Sequence, residues 1–261
     1  MAQSWLVAKD CLACAPSGRC AAPRDVGQIA EVRQAWGIAD PSPFCLKVES
    51  FLRAANIAYD VVAFDPGRSF AEAPKGKLPF IEDEDGAVAG DSTLFIARLS
   101  GQRGIDMDAP LDDRQRCVSL AFRRMLDEHL YWVAVYSRWI DEPGWSVIRQ
   151  PFFAGVWGPM RPSSALARRR VARALRAQGT GRHSKEEIYT LGNEDLQALS
   201  RLLGDDTYFF AANRPTLLDL WAHAFVAEII APPIDSPLKE ASLALANLTD
   251  HFQRLQARLY A

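Results

Sequence analysis

The chain has no apolar run long enough to cross a bilayer and no excess of charge of either sign. Its formal net charge is −2 over 261 residues, so it lacks the basic character of proteins that bind nucleic acid or anionic lipid. The Arg168-Arg169-Arg170 run is interpreted as a solvated helix face. The first residues also lack the features of a secretory signal. We therefore expect a globular cytoplasmic protein with no nucleic-acid partner and no membrane partner.

Metal-ligating pairs are scarce as well. Cys11 and Cys14 form a Cys-x-x-Cys pair, but no second pair of ligands follows at the spacing of a zinc site. We therefore predict no metal site. Residues 1–26 hold three of the five cysteines among small residues without a clear period, and we interpret this segment as a flexible tail.

The most informative stretch runs from Asp40 to Arg53. Ser42 suits the N-cap position of a helix, and Pro43 suits the first helical position because its missing N–H would be unpaired there. Apolar residues then recur along one helix face, at Phe44, Val48, Phe51, Leu52 and Ala55. A hydroxyl at the positive end of the helix dipole favours a bound anion, although a plain N-cap would give the same pattern.

The region before residue 101 alternates between strands and helices. Apolar and β-branched runs predict short strands at 28–32, 58–64, 78–82 and 87–89. A second helix is expected to begin at Asp91-Ser92. This order predicts a small mixed α/β domain at residues 27–101, followed by a polar linker at 102–111.

The remainder of the chain predicts helices only. One long helix is expected over 112–140, and the aromatic, Pro/Gly-rich segment 145–162 is expected to be an ordered turn between helices. Ser184-x-x-Glu187 and Thr216-x-x-Asp219 are capping boxes, which we interpret as folding signals rather than as parts of a site. The sequence therefore predicts an all-helical domain at residues 112–261.

Several short motifs, taken in order and spacing, resemble the glutathione transferase superfamily, and within it the branch of failed-axon-connections and metaxin-like proteins. They are Ser42-Pro43-Phe44-Cys45-x-Lys47-Val48-Glu49-x-x-Leu52-Arg53, Lys77-Leu78-Pro79-Phe80-Ile81, Asp91-Ser92, Glu128-x-x-Tyr131-Trp132, Gly179-x-Gly181-Arg182-His183-Ser184 and Pro215-Thr216-x-x-Asp219. Residues 27–100 resemble the thioredoxin-like domain of glutathione transferases, and 112–260 resemble their helical domain. The resemblance implies an α/β thioredoxin-like N-terminal domain followed by an all-α C-terminal domain.

The resemblance also implies that glutathione binds as co-substrate. In such proteins the peptide bond before Pro79 is cis, and the main chain of Leu78 pairs with the cysteinyl part of glutathione as an added strand. Asp91 and Ser92 match the pair that holds the γ-glutamyl end. An ordinary trans proline and a plain helix N-cap are the alternatives at these positions.

Ser42 takes the position where the resemblance places the residue that meets the glutathione sulfur. A hydroxyl that donates to a thiolate forms a bond worth about 1.5–3 kcal/mol, which would lower a thiol pKa from about 8.5 to near 7. Redox relatives carry Cys-x-x-Cys here, so only the second sulfur, Cys45, is present, and we expect it to be a buried small hydrophobe. Lys75 or Lys77 is a candidate for the glycyl carboxylate, although exposed lysines usually have no such role.

The second substrate is expected near Trp132, Tyr136 and Trp139, where aromatic rings would suit a flat or apolar electrophile. Core packing explains the helical spacing of these residues equally well. Arg182 and His183 belong to the signature of the branch, and we expect a structural contact at a helix entrance.

The function favoured by the residues and the resemblance is a glutathione transferase that conjugates a small electrophile through a thiolate held by Ser42. One alternative is a non-enzymic binding or adaptor protein, because better-known members of the branch act in organelle import or development. A second alternative is a thiol transferase that depends on Cys45. The resemblance leaves open whether the chain forms a homodimer, as many relatives do.

Overall fold

The structure is a computed structural model of the chain. It describes residues 36–62, 75–77, 79–82, 88–153 and 162–260, together with the backbone of residues 5–7. The chain divides into two compact units, one comprising residues 2–106 and the other residues 107–259.

The N-terminal unit contains a four-stranded mixed sheet. Its strands are β1 (Trp5–Val7), β2 (Asp60–Val62), β3 (Phe80–Glu82) and β4 (Val88–Gly90), in the order β2-β1-β3-β4. β1 runs antiparallel to β2 and parallel to β3, and β3 runs antiparallel to β4. The register places Leu6 opposite both Val61 and Ile81, and Ile81 opposite Ala89.

Strand β1 lies inside the segment 1–26, so the prediction of a flexible tail is wrong for residues 5–7. Trp, Leu and Val favour strands, but three residues among small neighbours give no alternation that a sequence pattern can reveal. The strand expected at 28–32 lies outside the described residues.

Two helices complete the described part of this unit, α1 (Pro43–Ala54) and α2 (Ser92–Arg103). α1 ends with Asn56 in the left-handed region at φ 54°, and the N–H of Ile57 reaches back to the carbonyl of Leu52 at 2.8 Å. The helices and strands share one apolar core. Its members include Leu46, Val48, Phe51, Leu52, Phe80, Ile81, Phe95, Ile96 and Leu99.

The described residues of the C-terminal unit form helices and the loops that connect them. Its helices are α3 (Asp113–Met125), α4 (Tyr131–Trp139), α5 (Glu142–Phe153), α6 (Pro162–Gln178), α7 (Lys185–Leu203), α8 (Leu217–Ile230), α9 (Pro237–Ala244) and α10 (Ala246–Tyr260). Every residue from 218 to 229 is buried, which makes α8 the core helix of this unit.

The long helix predicted at 112–140 contains a π-helical segment, Leu126–Leu130, between α3 and α4. A π turn accommodates an extra residue, which rotates the side chains that follow it. Within this segment Asp127 is buried and accepts the Trp221 indole N–H at 3.1 Å. Sequence periodicity predicts the helix but does not resolve a single inserted residue.

The ordered turn predicted at 145–162 is wrong for residues 145–153, which belong to α5. Pro143 and Gly144 lie in the first turn of α5, where proline is tolerated. Gly144 is required there, because a Cβ at this position would lie 2.0 Å from the carbonyl oxygen of Ser137. Arg168 also supports this corner, since its guanidinium donates to the carbonyls of Trp139 at 3.0 Å and Ile140 at 2.6 Å.

The capping signals open the helices where the sequence predicts them. At α7, the Glu187 N–H donates to Ser184 Oγ at 3.2 Å and the Ser184 N–H donates to Glu187 Oε2 at 2.8 Å. At α8, Asp219 accepts the N–H and hydroxyl of Thr216 at 2.7 and 2.6 Å, and also the His251 ring at 2.7 Å. Both residues at α8 are fully buried, in agreement with a folding role.

Candidate functional site

Ser42 is the N-cap residue of α1, yet its hydroxyl makes no capping hydrogen bond. Its carbonyl accepts the N–H of Cys45 at 3.1 Å and of Leu46 at 2.9 Å, which begins the helix. Its own N–H donates to Oδ1 of Asp40 at 2.7 Å. The side chain is half-buried. The helix therefore starts without using the Ser42 hydroxyl.

Asp40 is a site residue that the sequence analysis did not single out. Its side chain is fully buried, and its bond to the N–H two residues ahead is typical of an Asx turn. This bond fixes the path of the chain into α1, because it ties the N–H of the N-cap residue to a buried carboxylate. In the sequence, the signal for this turn was the Asp-Pro-Ser-Pro motif.

Cys45 carries a thiol with no exposed surface. It lies on the apolar face of α1 beside Leu46 and Val48, which are equally buried. Its position agrees with the predicted role as a small hydrophobe. A thiol without exposed surface is also unsuited to attack a substrate from solvent.

Asp91 and Ser92 lie together at the start of α2. Asp91 is the N-cap, and its Oδ1 accepts the N–H groups of Thr93 at 3.0 Å and Leu94 at 3.1 Å. Its backbone is at φ 90° and ψ 110°, a region that a non-glycine residue adopts at a cost of about 1–3 kcal/mol. Ser92 is buried at the first helical position. Asp91 thus performs the plain capping role, in a strained conformation that points to a further use.

The lysines and Pro79 complete the predicted glutathione site. Lys75 and Lys77 are exposed, and Lys75 Nζ lies 3.8 Å from Oδ2 of Asp91. Pro79 is buried directly before β3. Leu78 and its peptide bond to Pro79 lie outside the described residues, so the cis bond stays a prediction.

Lys47 is the second residue that the sequence analysis missed. Although it is a lysine, it is fully buried in α1. Its Nζ donates to Thr93 Oγ1 at 3.2 Å and lies 4.9 Å from the centre of the Phe44 ring. Lys47, in the second turn of α1, therefore links this helix to the first turn of α2. The sequence signal for the burial of Lys47 was its position on the apolar face, three residues after Phe44 and four before Phe51.

A different polar cluster lies toward the C-terminal end of α1. Oε1 of the buried Glu49 accepts the Tyr59 hydroxyl at 2.6 Å and Arg53 Nε at 3.0 Å. Burial, and then the Glu49 carboxylate, raise the pKa of Tyr59 well above its usual value. These contacts give Glu49 and Arg53 a structural role within the N-terminal unit.

The three residues predicted for the second substrate pack among other rings of the C-terminal unit. Ring centres lie 5.3 Å apart for Trp132 and Tyr131, and 6.1 Å apart for Trp139 and Trp145. Trp139 is buried, whereas Trp132 and Tyr136 are half-buried. These contacts agree with core packing for Trp139 and leave partly exposed rings at the other two positions.

Tyr136 also lies near charged groups of its own unit. Its ring centre is 6.0 Å from that of Tyr189, whose hydroxyl donates to Asp141 at 2.8 Å. Burial, and then the Asp141 carboxylate, raise the pKa of Tyr136. Tyr136 is therefore a neutral phenol, able to donate a hydrogen bond, at neutral pH.

Arg182 and His183 contact the chain where α6 ends and α7 begins. Arg182 Nε donates to the carbonyl of Arg176 at 3.0 Å, and His183 Nδ1 lies 3.5 Å from Glu187. The structural contact predicted at this helix entrance is confirmed.

Among the residues that the structure describes, no helix has the length and apolar character needed to span a membrane. The same residues contain no group of three or more His, Cys, Asp or Glu side chains that could hold a metal ion.

Comparison with known proteins identifies the family. The glutathione S-transferase N-terminal domain model matches residues 43–144, and the C-terminal domain model matches residues 192–255. The isoprene-epoxide–glutathione S-transferase of Rhodococcus sp. (strain AD45) is 33% identical over 226 residues, which cover 85% of this chain and 94% of that protein. The chain belongs to the glutathione S-transferase family.

The predicted resemblance to the failed-axon-connections and metaxin branch is confirmed. Failed axon connections of Drosophila melanogaster is 33% identical over 236 residues, covering 84% of this chain and 54% of that protein. Metaxin-3 of Xenopus laevis is 27% identical over 231 residues, covering 84% of this chain and 69% of that protein. The chain thus spans about half the length of Failed axon connections.

Solved structures confirm the fold class. A glutathione S-transferase of Methylobacterium radiotolerans, in complex with glutathione sulfonate, has a TM-score of 0.57 at 17% identity and covers 98% of this chain and 91% of its own. A β-etherase of Sphingobium sp. has a TM-score of 0.58 at 15% identity and covers 83% of this chain and 92% of its own. At this identity the likeness establishes the fold: a thioredoxin-like domain followed by an all-α domain.

Proposed function

We propose that the chain is a glutathione transferase in which the Ser42 hydroxyl donates a hydrogen bond to the glutathione thiolate. The observation that carries this proposal is an N-cap serine whose hydroxyl makes no capping bond. Such a cap is worth about 0.5–2 kcal/mol, so a hydroxyl left out of it is available for another partner. It lies at the positive end of the α1 dipole, where a thiolate is favoured.

The reaction needs no covalent bond to the protein. Glutathione loses its thiol proton to solvent, and the Ser42 bond stabilises the resulting thiolate by about 1.5–3 kcal/mol, or one to two units of pKa. The thiolate attacks an electrophilic carbon, so a C–S bond forms and the bond to the leaving atom breaks. For an epoxide, the electron pair of the broken C–O bond moves to oxygen, which then takes a proton from solvent. The name of the Rhodococcus relative favours an epoxide as the electrophile.

The rest of glutathione would lie along the N-terminal unit. The buried Ser92 and the first N–H groups of α2 suit the γ-glutamyl carboxylate, and the exposed Oδ2 side of Asp91 suits its ammonium. The Leu78 main chain would pair with the cysteinyl part, and Lys75 or Lys77 would meet the glycyl carboxylate. Trp132 and Tyr136 are the candidates for contact with the electrophile.

A non-enzymic binding or adaptor protein is the second candidate. It is supported by the 33% identity to Failed axon connections and by the similarity to Metaxin-3. The thiol transferase that uses Cys45 is disfavoured, because the Cys45 thiol has no exposed surface.

The test uses the purified full chain and its Ser42→Ala variant. We expect immobilised glutathione to retain both proteins, and the wild type to conjugate a small epoxide or 1-chloro-2,4-dinitrobenzene. In Ser42→Ala, kcat/KM should fall about 10-fold to 100-fold at neutral pH, and its pH profile should move up by about one to two units. Ser146→Ala, at an exposed serine of α5, is the matched control and should leave both quantities unchanged.

Each other outcome contradicts a named part of the proposal. An unchanged rate and pH profile in Ser42→Ala would remove the hydroxyl from the mechanism. Retention on glutathione without turnover of either electrophile would favour the adaptor instead. Loss of turnover in Cys45→Ser, with normal turnover in Ser42→Ala, would favour the thiol transferase.

A further inference from the structure

Lys47 joins α1 and α2, the two helices whose N-terminal ends carry the proposed glutathione contacts. α1 begins at Ser42, which would meet the sulfur, and α2 begins at Asp91-Ser92, which would meet the γ-glutamyl end. The Lys47 ammonium crosses from the first helix to Thr93 in the first turn of the second, with a bond of 3.2 Å. It is fully buried along this path.

The charge of Lys47 is placed to favour an anion at the start of α2. The N-terminal end of a helix carries a partial positive charge, and Thr93 lies in that first turn. The Lys47 ammonium that donates to Thr93 acts in the same direction, and a buried charge is screened less by salt than a surface charge would be. Both contributions raise the potential at Ser92, where a carboxylate would bind.

The bond to Thr93 also bears on the strained residue beside it. The Thr93 N–H is one of the two groups that Asp91 Oδ1 caps, at 3.0 Å, while Asp91 holds φ 90°. Lys47 donates a hydrogen bond to the side-chain hydroxyl of the same threonine. The strained Asp91 conformation is thus held from two sides, by its own capping bonds and by an anchor on α1.

We propose that Lys47 is a positioning residue for glutathione recognition: by holding Thr93 and placing a buried positive charge under the first turn of α2, it builds the site that selects the γ-glutamyl carboxylate. This inference rests on the proposed function, since it assigns a role within the same glutathione site. Lys47 acts through Thr93 and through its field, and it does not contact the reacting sulfur.

The experiment separates the γ-glutamyl carboxylate from the rest of the ligand. One probe is S-methylglutathione, and the other is S-methyl-(4-aminobutyryl)-Cys-Gly, which has the same backbone without that carboxylate. The methyl group on sulfur prevents a thiolate in either probe, so the charged form of the Ser42 interaction is absent. Calorimetric titration of the full chain measures both dissociation constants.

Lys47→Met keeps most of the side-chain volume and removes the ammonium. We expect the wild type to prefer S-methylglutathione, and Lys47→Met to lose about tenfold of that preference, because only the carboxylate depends on the lysine. Thr93→Val keeps the charge and removes the acceptor hydroxyl, so it should lose part of the preference. Thr190→Val, at an exposed threonine of α7, is the matched control and should behave as the wild type.

The coupling between the two variants is a further measurement. If Lys47 acts partly by holding Thr93, the double variant should be no weaker than Lys47→Met alone, since the shared bond is lost only once. Thermal unfolding of each variant shows whether a loss of affinity follows merely from a loss of folded protein. Thr93→Val carries the test if Lys47→Met does not fold.

Three results would overturn the inference. Equal weakening of both probes would make Lys47 a structural residue without a part in selecting the carboxylate. Unchanged affinities in Lys47→Met or, if that variant does not fold, in Thr93→Val would remove the role altogether. Failure of the wild type to bind S-methylglutathione at all would instead reject the proposed function, and the inference with it.

Discussion

His223 gives the C-terminal unit a dependence on pH that can be worked out in advance. It is fully buried in the core helix α8, where its Nε2 lies 3.0 Å from Gln256 Oε1 and its ring stacks on Phe252 with centres 5.5 Å apart. Burial lowers the pKa of His223 to about 4, and the charge of His251 acts in the same direction. In the unfolded chain its pKa returns to about 6.5.

The sign follows from the proton counts of the two states. Between pH 4 and pH 6.5 the unfolded chain binds a proton at His223 and the folded chain does not, so the free energy of unfolding rises with pH in this window. The stabilisation is complete above pH 6.5 and is lost progressively as the pH falls towards 4. The shift of about 2.5 units, at about 1.4 kcal/mol per unit, sets an upper limit of about 3.5 kcal/mol.

The assay compares urea unfolding of the wild type and His223→Gln between pH 7.5 and 4.5. Glutamine does not titrate, and every carboxylate is present in both proteins, so the difference in unfolding free energy isolates the histidine. The stability difference between wild type and variant should move by about 2.5 kcal/mol over this range, with the wild type losing more on acidification. A difference that stays constant from pH 7.5 to 4.5 would refute the reasoning, because the pKa of His223 would then be the same in both states.

Two further predictions concern the corner between α4 and α5, and urea unfolding checks both. Arg168→Met should lower the free energy of unfolding by about 1.5–3 kcal/mol, because the carbonyls that end α4 lose a charged donor. Arg169→Met, at an exposed site in the same run, is the control and should change this free energy little. Equal losses of stability in the two variants would contradict the role of Arg168. Gly144→Ala should destabilise the protein by several kcal/mol, since the added methyl would lie 2.0 Å from the Ser137 carbonyl. Gly101→Ala, in α2 with open space around it, is the control and should be neutral or stabilising by about 0.5–1 kcal/mol. A Gly144→Ala variant as stable as Gly101→Ala would show that α4 and α5 do not approach this closely.

Signals that act within one helix turn could be read from the sequence. The N-cap of α2 and the capping box of α7 depend on residues two or three positions apart, so their chemistry is visible in the chain itself. Ser42, Asp91 and Ser92 are recognised as helix starts for the same reason, whereas their assignment to glutathione comes from the family resemblance.

Features that depend on distant partners could not be read in this way. Lys47 is separated by 46 residues from Thr93, and Arg168 by 28 residues from the Ile140 carbonyl, so their burial and bonding follow from packing. The periodicity of the sequence does not show whether a lysine on an apolar face or an arginine in a basic run is bonded inside the fold or exposed to solvent. Strand β1 is too short to show a period, and its pairing with β2 spans more than fifty residues.

The fold and the proposed catalysis depend on different residues of α1. Lys47, Glu49 and Arg53 all form bonds inside the N-terminal unit, so they stabilise the fold whether or not the chain is an enzyme. The Ser42 hydroxyl makes no capping bond to α1, so it adds no capping stability to the fold. Asp91 likewise holds a conformation that costs about 1–3 kcal/mol, which its two capping bonds offset in part. An unused hydroxyl and a strained residue at neighbouring helix starts are expected of a binding site for glutathione, and an adaptor that no longer bound the tripeptide would need neither.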